Sequence, residues 1–259
     1  MAPFSDFFAY SLFYESLCKN KDELKEYWDG CAQIYLNGQY PVFQAGLHSN
    51  DFTEHLEILH ARHWQENSLN VLDAGCGAGA VTNFFAQKHP TASFTGLNVS
   101  PEQIKEAEKT APDNASFVLG SYDSMPFHDN SFDFIYFYQS IGYRPPVRVL
   151  EEVYRILKPG GKLLISDICS VDDPDLQQTR WIRYVQDTWH YMCYPSWYHL
   201  EAAKVFGFKL LDCNPNMNPV LDFSLWIDLV DNKGLSEYHN YQAPYAPIKI
   251  AEFLYKKNE

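Results

Sequence analysis

The sequence predicts an α/β fold built on a mostly parallel, doubly wound sheet, and three observations carry that expectation. Residues 70–79 read Asn-Val-Leu-Asp-Ala-Gly-Cys-Gly-Ala-Gly, an apolar run that stops at an aspartate and breaks into glycines, as a buried strand entering a tight turn does. Residues 80–88 have helical composition. A second strand at 92–97 is followed by Ser100 as helix N-cap, Pro101 at the first helical position and Gln103 completing a capping box. Two strand-turn-helix units in succession make parallel neighbours joined by right-handed crossovers.

The flanking elements follow in order. Residues 4–17 put aromatics on most faces of a helix, which needs cover either on its own domain or on a second copy, so a homo-oligomer formed through it is one expectation. Lys21 to Tyr40 reads as a second helix, broken at Gly38 and Pro41, and Asp51 to His63 as a third whose Leu56 and Leu59, with Trp64, suit packing on the sheet. Ala115 to Leu119 makes the third strand. Phe132 to Tyr138 is a nearly continuous apolar run, as expected of a central strand buried on both faces. Val147 to Leu157 has the spacing of a surface helix, and Lys158-Pro-Gly-Gly turns it into a strand at 162–168. Asp175 to His199 is helical and aromatic-rich, an insertion placed to cap a pocket. Residues 209–213 and 248–255 form an antiparallel edge pair, with a loop at 214–246 carrying a helix around 223–230. The chain divides into a helical arm and lid (1–66) and a core (67–259) with a cap insertion at about 172–204.

Composition narrows the function. The 259 residues fit one α/β domain with additions. A net charge of −13, with no run of Lys or Arg, disfavours nucleic acid and anionic membrane surfaces and points to a small-molecule substrate. No segment approaches the roughly 20 apolar residues of a membrane span, so no membrane insertion is expected. Met1 to Leu17 carries Asp6 and Glu15 and lacks the basic start of a signal peptide. The six cysteines (18, 31, 76, 169, 193 and 213) show no Cys-x-x-Cys spacing and read as free thiols of a cytoplasmic protein. Aromatics are abundant, with 18 Tyr, 18 Phe and 6 Trp crowding the N-terminal arm and the stretch from Trp181 to Trp226.

Glycines after a buried strand admit a ligand close to bare backbone, at the N-terminus of the next helix. The Asp73-Ala-Gly-Cys-Gly-Ala-Gly turn, Ser121-Tyr-Asp-Ser-Met-Pro-Phe, the strand Phe132 to Tyr138 and Leu157-Lys-Pro-Gly-Gly-Lys together resemble the class I S-adenosylmethionine-dependent methyltransferases, over about residues 70–170. A dinucleotide-binding dehydrogenase shares the first of these motifs but does not predict the Lys-Pro-Gly-Gly turn.

The resemblance implies a Rossmann-like, seven-stranded, mostly parallel sheet with an N-terminal helical arm and a helical cap. It implies S-adenosyl-L-methionine held by Asp73, Gly75 and Gly77 of the turn, by Asn98, Val99 and Gln103 after the second strand, and by Ser121, Tyr122 and Asp123 around the adenine. Tyr27, Phe43 and Gln44 would close over the sulfonium, with Tyr138 a further cofactor-binding residue. Asn98 stands where most members have Asp or Glu; its amide carbonyl accepts from a ribose hydroxyl without charge assistance. The segments Phe43-Gln-Ala-Gly and Tyr138-Gln-Ser-Ile-Gly-Tyr-Arg-Pro look like those of sterol and isoprenoid C-methyltransferases, with Gln139 where those enzymes tend to carry Glu.

Carbon methylation of an alkene generates a cation that must be shielded from water, stabilised by aromatic faces and relieved of a proton. Tyr138, Gln139 and His190 are the catalytic candidates, His190 as proton acceptor. Phe43, Tyr143, Trp189 and the arginines 144, 148, 180 and 183 are the substrate-binding candidates; the arginines either hold a diphosphate or pair with the many surface carboxylates. The histidines show no metal-ligand spacing, although a Mg2+ bridging a diphosphate needs only one or two carboxylates. The favoured expectation is methyl transfer to a carbon of an isoprenoid such as a prenyl diphosphate. O- or N-methylation of a natural product or metabolite, and a non-catalytic cofactor-binding relative hinted at by Asn98 and Gln139, are the alternatives.

Overall fold

The computed structural model describes residues 4–18, 20–36, 49, 51–66, 69–217 and 248–258. Helices α1 (Phe4–Leu17), α2 (Lys21–Leu36) and α3 (Phe52–His63) precede the alternating units β1 (Asn70–Ala74), α4 (Ala80–Lys88), β2 (Ser93–Asn98), α5 (Pro101–Glu108), β3 (Ala115–Leu119), β4 (Phe132–Tyr138) and α6 (Pro146–Ile156). Then come β5 (Leu157–Ser170), α7 (Leu176–Trp189), α8 (Ser196–Val205), β6 (Phe208–Met217) and β7 (Ile248–Lys257). The described strands form a seven-stranded sheet in the order β3-β2-β1-β4-β5-β7-β6. Its first five strands run parallel, and β7 is antiparallel to both β5 and β6.

Alternation along the strands feeds two apolar layers. Val71, Phe94, Phe134, Tyr136 and Tyr138 face α3 and α4, meeting Leu59, Val81 and Phe85. Leu72, Leu97, Ile135, Phe137 and Ile165 face the other way, onto Val149, Leu150 and Val153 of α6 and Tyr198 and Ala202 of α8. Phe134 and Phe137 are fully buried, and each such side chain contributes about 1.5–3 kcal/mol. Helix α1 packs within its own chain: Phe7 meets Tyr198 at 5.2 Å between ring centroids, and Tyr14 stands edge-on to Tyr194 at 4.7 Å.

Several expectations need correction. The capping of α5 is half of a box: Ser100 accepts from Gln103 N–H at 3.3 Å, but the Gln103 side chain turns instead to Asn98. The box is found at α7, where Asp175 and Gln178 cap each other. Pro195, with extended backbone, divides the single cap helix expected at 175–199 into α7 and α8. Leu157 already pairs with Phe132; Lys158 to Gly161 then bulge from the ladder, which resumes where Lys162 meets Phe134. Residues 37–40 and the helix expected around 223–230 lie outside the described residues. Cys18, Cys76, Cys169, Cys193 and Cys213 are free thiols, and no described helix is long and apolar enough to cross a membrane.

The end of β7 is tied to the end of α6 by a buried cation. Lys257 Nζ donates to the carbonyls of Tyr154 and Leu157, both at 2.7 Å, and to Asn130 Oδ1 at 3.0 Å. A lysine there satisfies acceptors that a helix C-terminus leaves open. Lys257→Met is therefore expected to lower stability by about 1–3 kcal/mol; an unchanged urea midpoint would contradict this role.

Candidate active site

The parallel strands deliver their carboxyl ends to one edge of the sheet, where ligands bind in open α/β folds. At the end of β1 the buried Asp73 carboxylate accepts from Thr82 Oγ1 at 2.6 Å, fastening the strand to α4. Burial pushes its pKa up to about 7, against the lowering effect of the Thr82 and Tyr136 hydroxyls. Gly75 and Gly79 adopt φ of 85° and 83°, which favour glycine. Gly75 has a second reason to lack a side chain, because a Cβ there would strike the Tyr122 hydroxyl and stand 2.5 Å from Ser140 Cβ. The amides of Gly75 and Cys76 both donate to the carbonyl of Leu97, locking the turn against β2.

Asn98 closes β2 with a fully determined amide. Its Oδ1 accepts from Val99 N–H at 2.8 Å, so its Nδ2 must face the other way, donating to the Gly77 carbonyl at 3.2 Å and to Gln103 Oε1. That leaves Gln103 Nε2 as a buried donor without a protein partner among the described residues. Ser100, which caps α5, also donates to Asp29 at 2.6 Å and so docks α2 beside the site.

Gln139 follows β4 with φ of 51°, a left-handed conformation unusual for a residue with a side chain. Its amide donates to Ser166 O, and the amides of Ser140 and Ile141 donate to the buried carboxylate of Asp167 at 3.1 and 3.0 Å. Asp167 also accepts from Ile168 N–H at 2.6 Å and from the Tyr191 hydroxyl; burial lifts its pKa to about 7, although Tyr191 and the three amides oppose the rise. Ser140 Oγ returns to Ala74 O at 2.6 Å, joining the ends of β4 and β1.

Between these turns lies a cleft of about 680 Å³. Of the expected site residues it gathers Gly75, Gly77, Asn98, Val99, Gln103, Ser121, Tyr122, Tyr138, Gln139, Tyr143 and Arg144. Leu24 and Trp28 of α2, with Gly120 and Ser140, complete its wall and were not anticipated. Leu24 and Trp28 stand one helical turn apart, a pattern indistinguishable in sequence from ordinary core packing. Trp28 stands edge-on to Tyr143 at 5.4 Å, and Tyr143 edge-on to Tyr191 at 4.7 Å, so an aromatic stack walls one side.

The other expected residues sit elsewhere. Asp73 lies beneath the turn as its anchor. Asp123 pairs with Arg144 at 2.6 Å, and Arg148 with Glu15 at 2.6 Å. Arg180 and Arg183 are exposed on α7. His190 caps α7 in a left-handed conformation and stands edge-on to Tyr27 at 4.8 Å, outside the described lining of the cleft. Phe43, Gln44 and the Trp189 side chain are not among the described residues.

A family model described as a methyltransferase domain matches residues 72–165, the stretch that supplies the glycine turn, Asn98 and the end of β4. These residues are a class I methyltransferase domain. Among curated relatives, the 2-methyl-6-phytyl-1,4-hydroquinone methyltransferase of Synechocystis is 29% identical over 71% of this chain and 58% of its own length. A sterol 24-C-methyltransferase of Gibberella zeae is 34% identical over 55% of this chain and 40% of its own. The chain thus spans about half the length of these relatives. A solved geranyl diphosphate C-methyltransferase from Streptomyces coelicolor shares the fold, with a TM-score of 0.75 and 13% identity over 92% of this chain and 97% of that one.

The site suits the adenosyl cofactor of such a domain. A bare Gly75 floor and the orphaned Gln103 donor offer what a nucleoside needs. Gly75→Ala is expected to weaken S-adenosylhomocysteine binding at least tenfold in calorimetric titration and to cost about 1–3 kcal/mol of stability; normal affinity would remove the turn from the site. A second expectation concerns pH. Folded Asp73 and Asp167 hold protons to about pH 7, whereas unfolded carboxyls release them near 4, so their contribution to stability is full below pH 4 and is lost as pH rises to 7. In urea titrations at pH 5 and 7.5, Asp73→Asn should lose part of the wild-type difference; an unaltered difference would contradict the burial argument.

Proposed function

We propose that the chain transfers a methyl group from S-adenosylmethionine to a carbon atom of an uncharged, isoprenoid-type small molecule. The observation that carries this reading is the character of the cleft wall. Its described lining consists of glycine backbone, amides, serine hydroxyls, aromatic rings and the aliphatic Leu24 and Val99, and its one guanidinium, Arg144, is paired with Asp123. When bound, the cofactor supplies an electrophilic methyl group. Gly75, Gly77, Asn98 and Gln103 are suited to hold its nucleoside, and Trp28, Tyr138 and Tyr143 to clamp a flat or branched apolar substrate and keep water out. An alkene or electron-rich ring turns cationic on methylation, and each aromatic face stabilises that charge by about 0.5–2 kcal/mol.

The paired state of Arg148 and the exposure of Arg180 and Arg183 favour an uncharged substrate over a diphosphate. The two curated relatives, one named for a phytyl hydroquinone and one for sterol carbon 24, support the same class. The test is turnover of methyl-labelled S-adenosylmethionine against a side-chain-unsaturated sterol, a prenylated hydroquinone, geraniol, geranyl diphosphate, simple phenols and amines, with and without Mg2+. Label should enter carbon of the sterol or hydroquinone without Mg2+, and Arg180→Ala with Arg183→Ala should leave KM within about twofold. Label confined to ethers or amines would replace this reading with O- or N-methylation.

A further inference from the structure

Behind the cleft, on the α3 face of the sheet, three strands place polar residues side by side. Tyr138 of β4 is in register with Ser166 of β5, which is in register with Glu252 of β7. His63, the last residue of α3, lies over this row. Its Nδ1 is 2.9 Å from the Tyr138 hydroxyl, and its Nε2 makes an ion-pair contact of 2.8 Å with Glu252 Oε1 that lies off the line of a hydrogen bond. Glu252 Oε2 in turn meets Arg62 Nη2 at 2.7 Å, and Ser166 Oγ lies 3.4 Å from Oε1. Tyr138, His63 and Glu252 are each less than a tenth exposed. At one end of the chain Tyr138 lies in the cleft wall; at the other, Arg62, His63 and Glu252 line a separate polar cavity of about 560 Å³ with Gln65, Asp212 and Asn214.

A buried histidine-carboxylate pair is costly to desolvate and weak evidence for stability by itself. The geometry does assign its protons. A carboxylate oxygen 2.8 Å away would repel a lone pair on Nε2, which favours the Nε2–H tautomer and leaves Nδ1 to accept from the Tyr138 hydroxyl. Arg62 balances the charge of Glu252. The groups facing His63 are Arg62 from its own helix, Tyr138 from β4, Glu252 from β7 and, across the cavity, Asp212 from β6.

We infer that Tyr138, His63 and Glu252 form a proton relay that carries the proton released in carbon methylation from the cleft to the cavity on the α3 face of the sheet. The inference rests on the reading that methylation occurs at carbon. In the step, the C–H bond next to the cationic centre breaks and its electron pair forms the new double bond or restores the ring. The Tyr138 oxygen takes the proton while its own passes to His63 Nδ1, and the Nε2 proton moves to Glu252. Tyr138 is the catalytic residue here; His63 and Glu252 act through it as positioning residues. This assignment replaces His190 as proton acceptor.

Two measurements on the full chain separate the relay from a merely structural cluster. In 15N spectra of histidine-labelled protein with S-adenosylhomocysteine, the resonances lost in His63→Gln should report an Nε2–H tautomer, and Tyr138→Phe should shift the Nδ1 signal. An Nδ1–H tautomer, or no response to Tyr138→Phe, would overturn the relay. In the labelled-methyl assay, His63→Gln and Tyr138→Phe should each lower kcat by about 10²–10⁴, and His63→Gln should keep S-adenosylhomocysteine affinity within twofold of wild type. Unchanged kcat, or a parallel loss of affinity, would also overturn it. If wild type binds the cofactor and has the Nε2–H tautomer but labels no substrate carbon, the methylation reading fails while the proton path stands.

Discussion

The buried carboxylate of Asp167 is the point on which the site depends. It gathers the amides of Ser140, Ile141 and Ile168 and the hydroxyl of Tyr191, so one side chain of β5 shapes the turn after β4 and draws the cap onto it. A left-handed residue such as Gln139 costs about 1–3 kcal/mol, and it persists because the amides on its C-terminal side have no better acceptor. Ser140, held in that turn, reaches back to Ala74 and leaves no space for a side chain on Gly75. The absence of one Cβ on β1 and the presence of one carboxylate on β5 are thus two ends of the same constraint.

From this follows a division of labour between the two faces of the sheet. On one face α6 and α8 bury an apolar layer that fixes the strands. On the other, α3 brings histidine and arginine over a row of Tyr138, Ser166 and Glu252, where apolar residues would pack more cheaply. The N-terminal arm contributes Trp28 and Leu24 to the cleft wall, and the bond between Asp29 and the N-cap Ser100 docks it there. The residue that starts α5 therefore also seats a wall of the cleft.

What was legible in the sequence was local. Helix α4 occupies residues 80–88 as expected, β3 and β4 have the expected limits, and Ser100 caps α5, because each rests on neighbours a few residues apart. The glycine turn and the end of β4 assemble a cleft from most of the residues expected to line it. Long-range pairing was not legible. Arg148 and Glu15, or His63 with Tyr138 and Glu252, carry no periodic signal linking them. His190, proposed as a proton acceptor for its imidazole, stands at the C-cap of α7, and the Gln103 amide answers Asn98 rather than its own cap. Asn98 departs from an acid at its position for a physical reason: its amide hydrogens bond Gly77 O and Gln103 Oε1, which a carboxylate cannot do.

The central claim is methylation at carbon with loss of a proton from that carbon framework. It is tested most directly by supplying a prenylated hydroquinone deuterated on its ring, with S-adenosylmethionine, and measuring methyl gained and deuterium released together. The account expects one deuteron lost to water for each methyl transferred. Methyl transfer with all ring deuterium retained and the methyl recovered as an aryl ether would place the new bond on oxygen and contradict it.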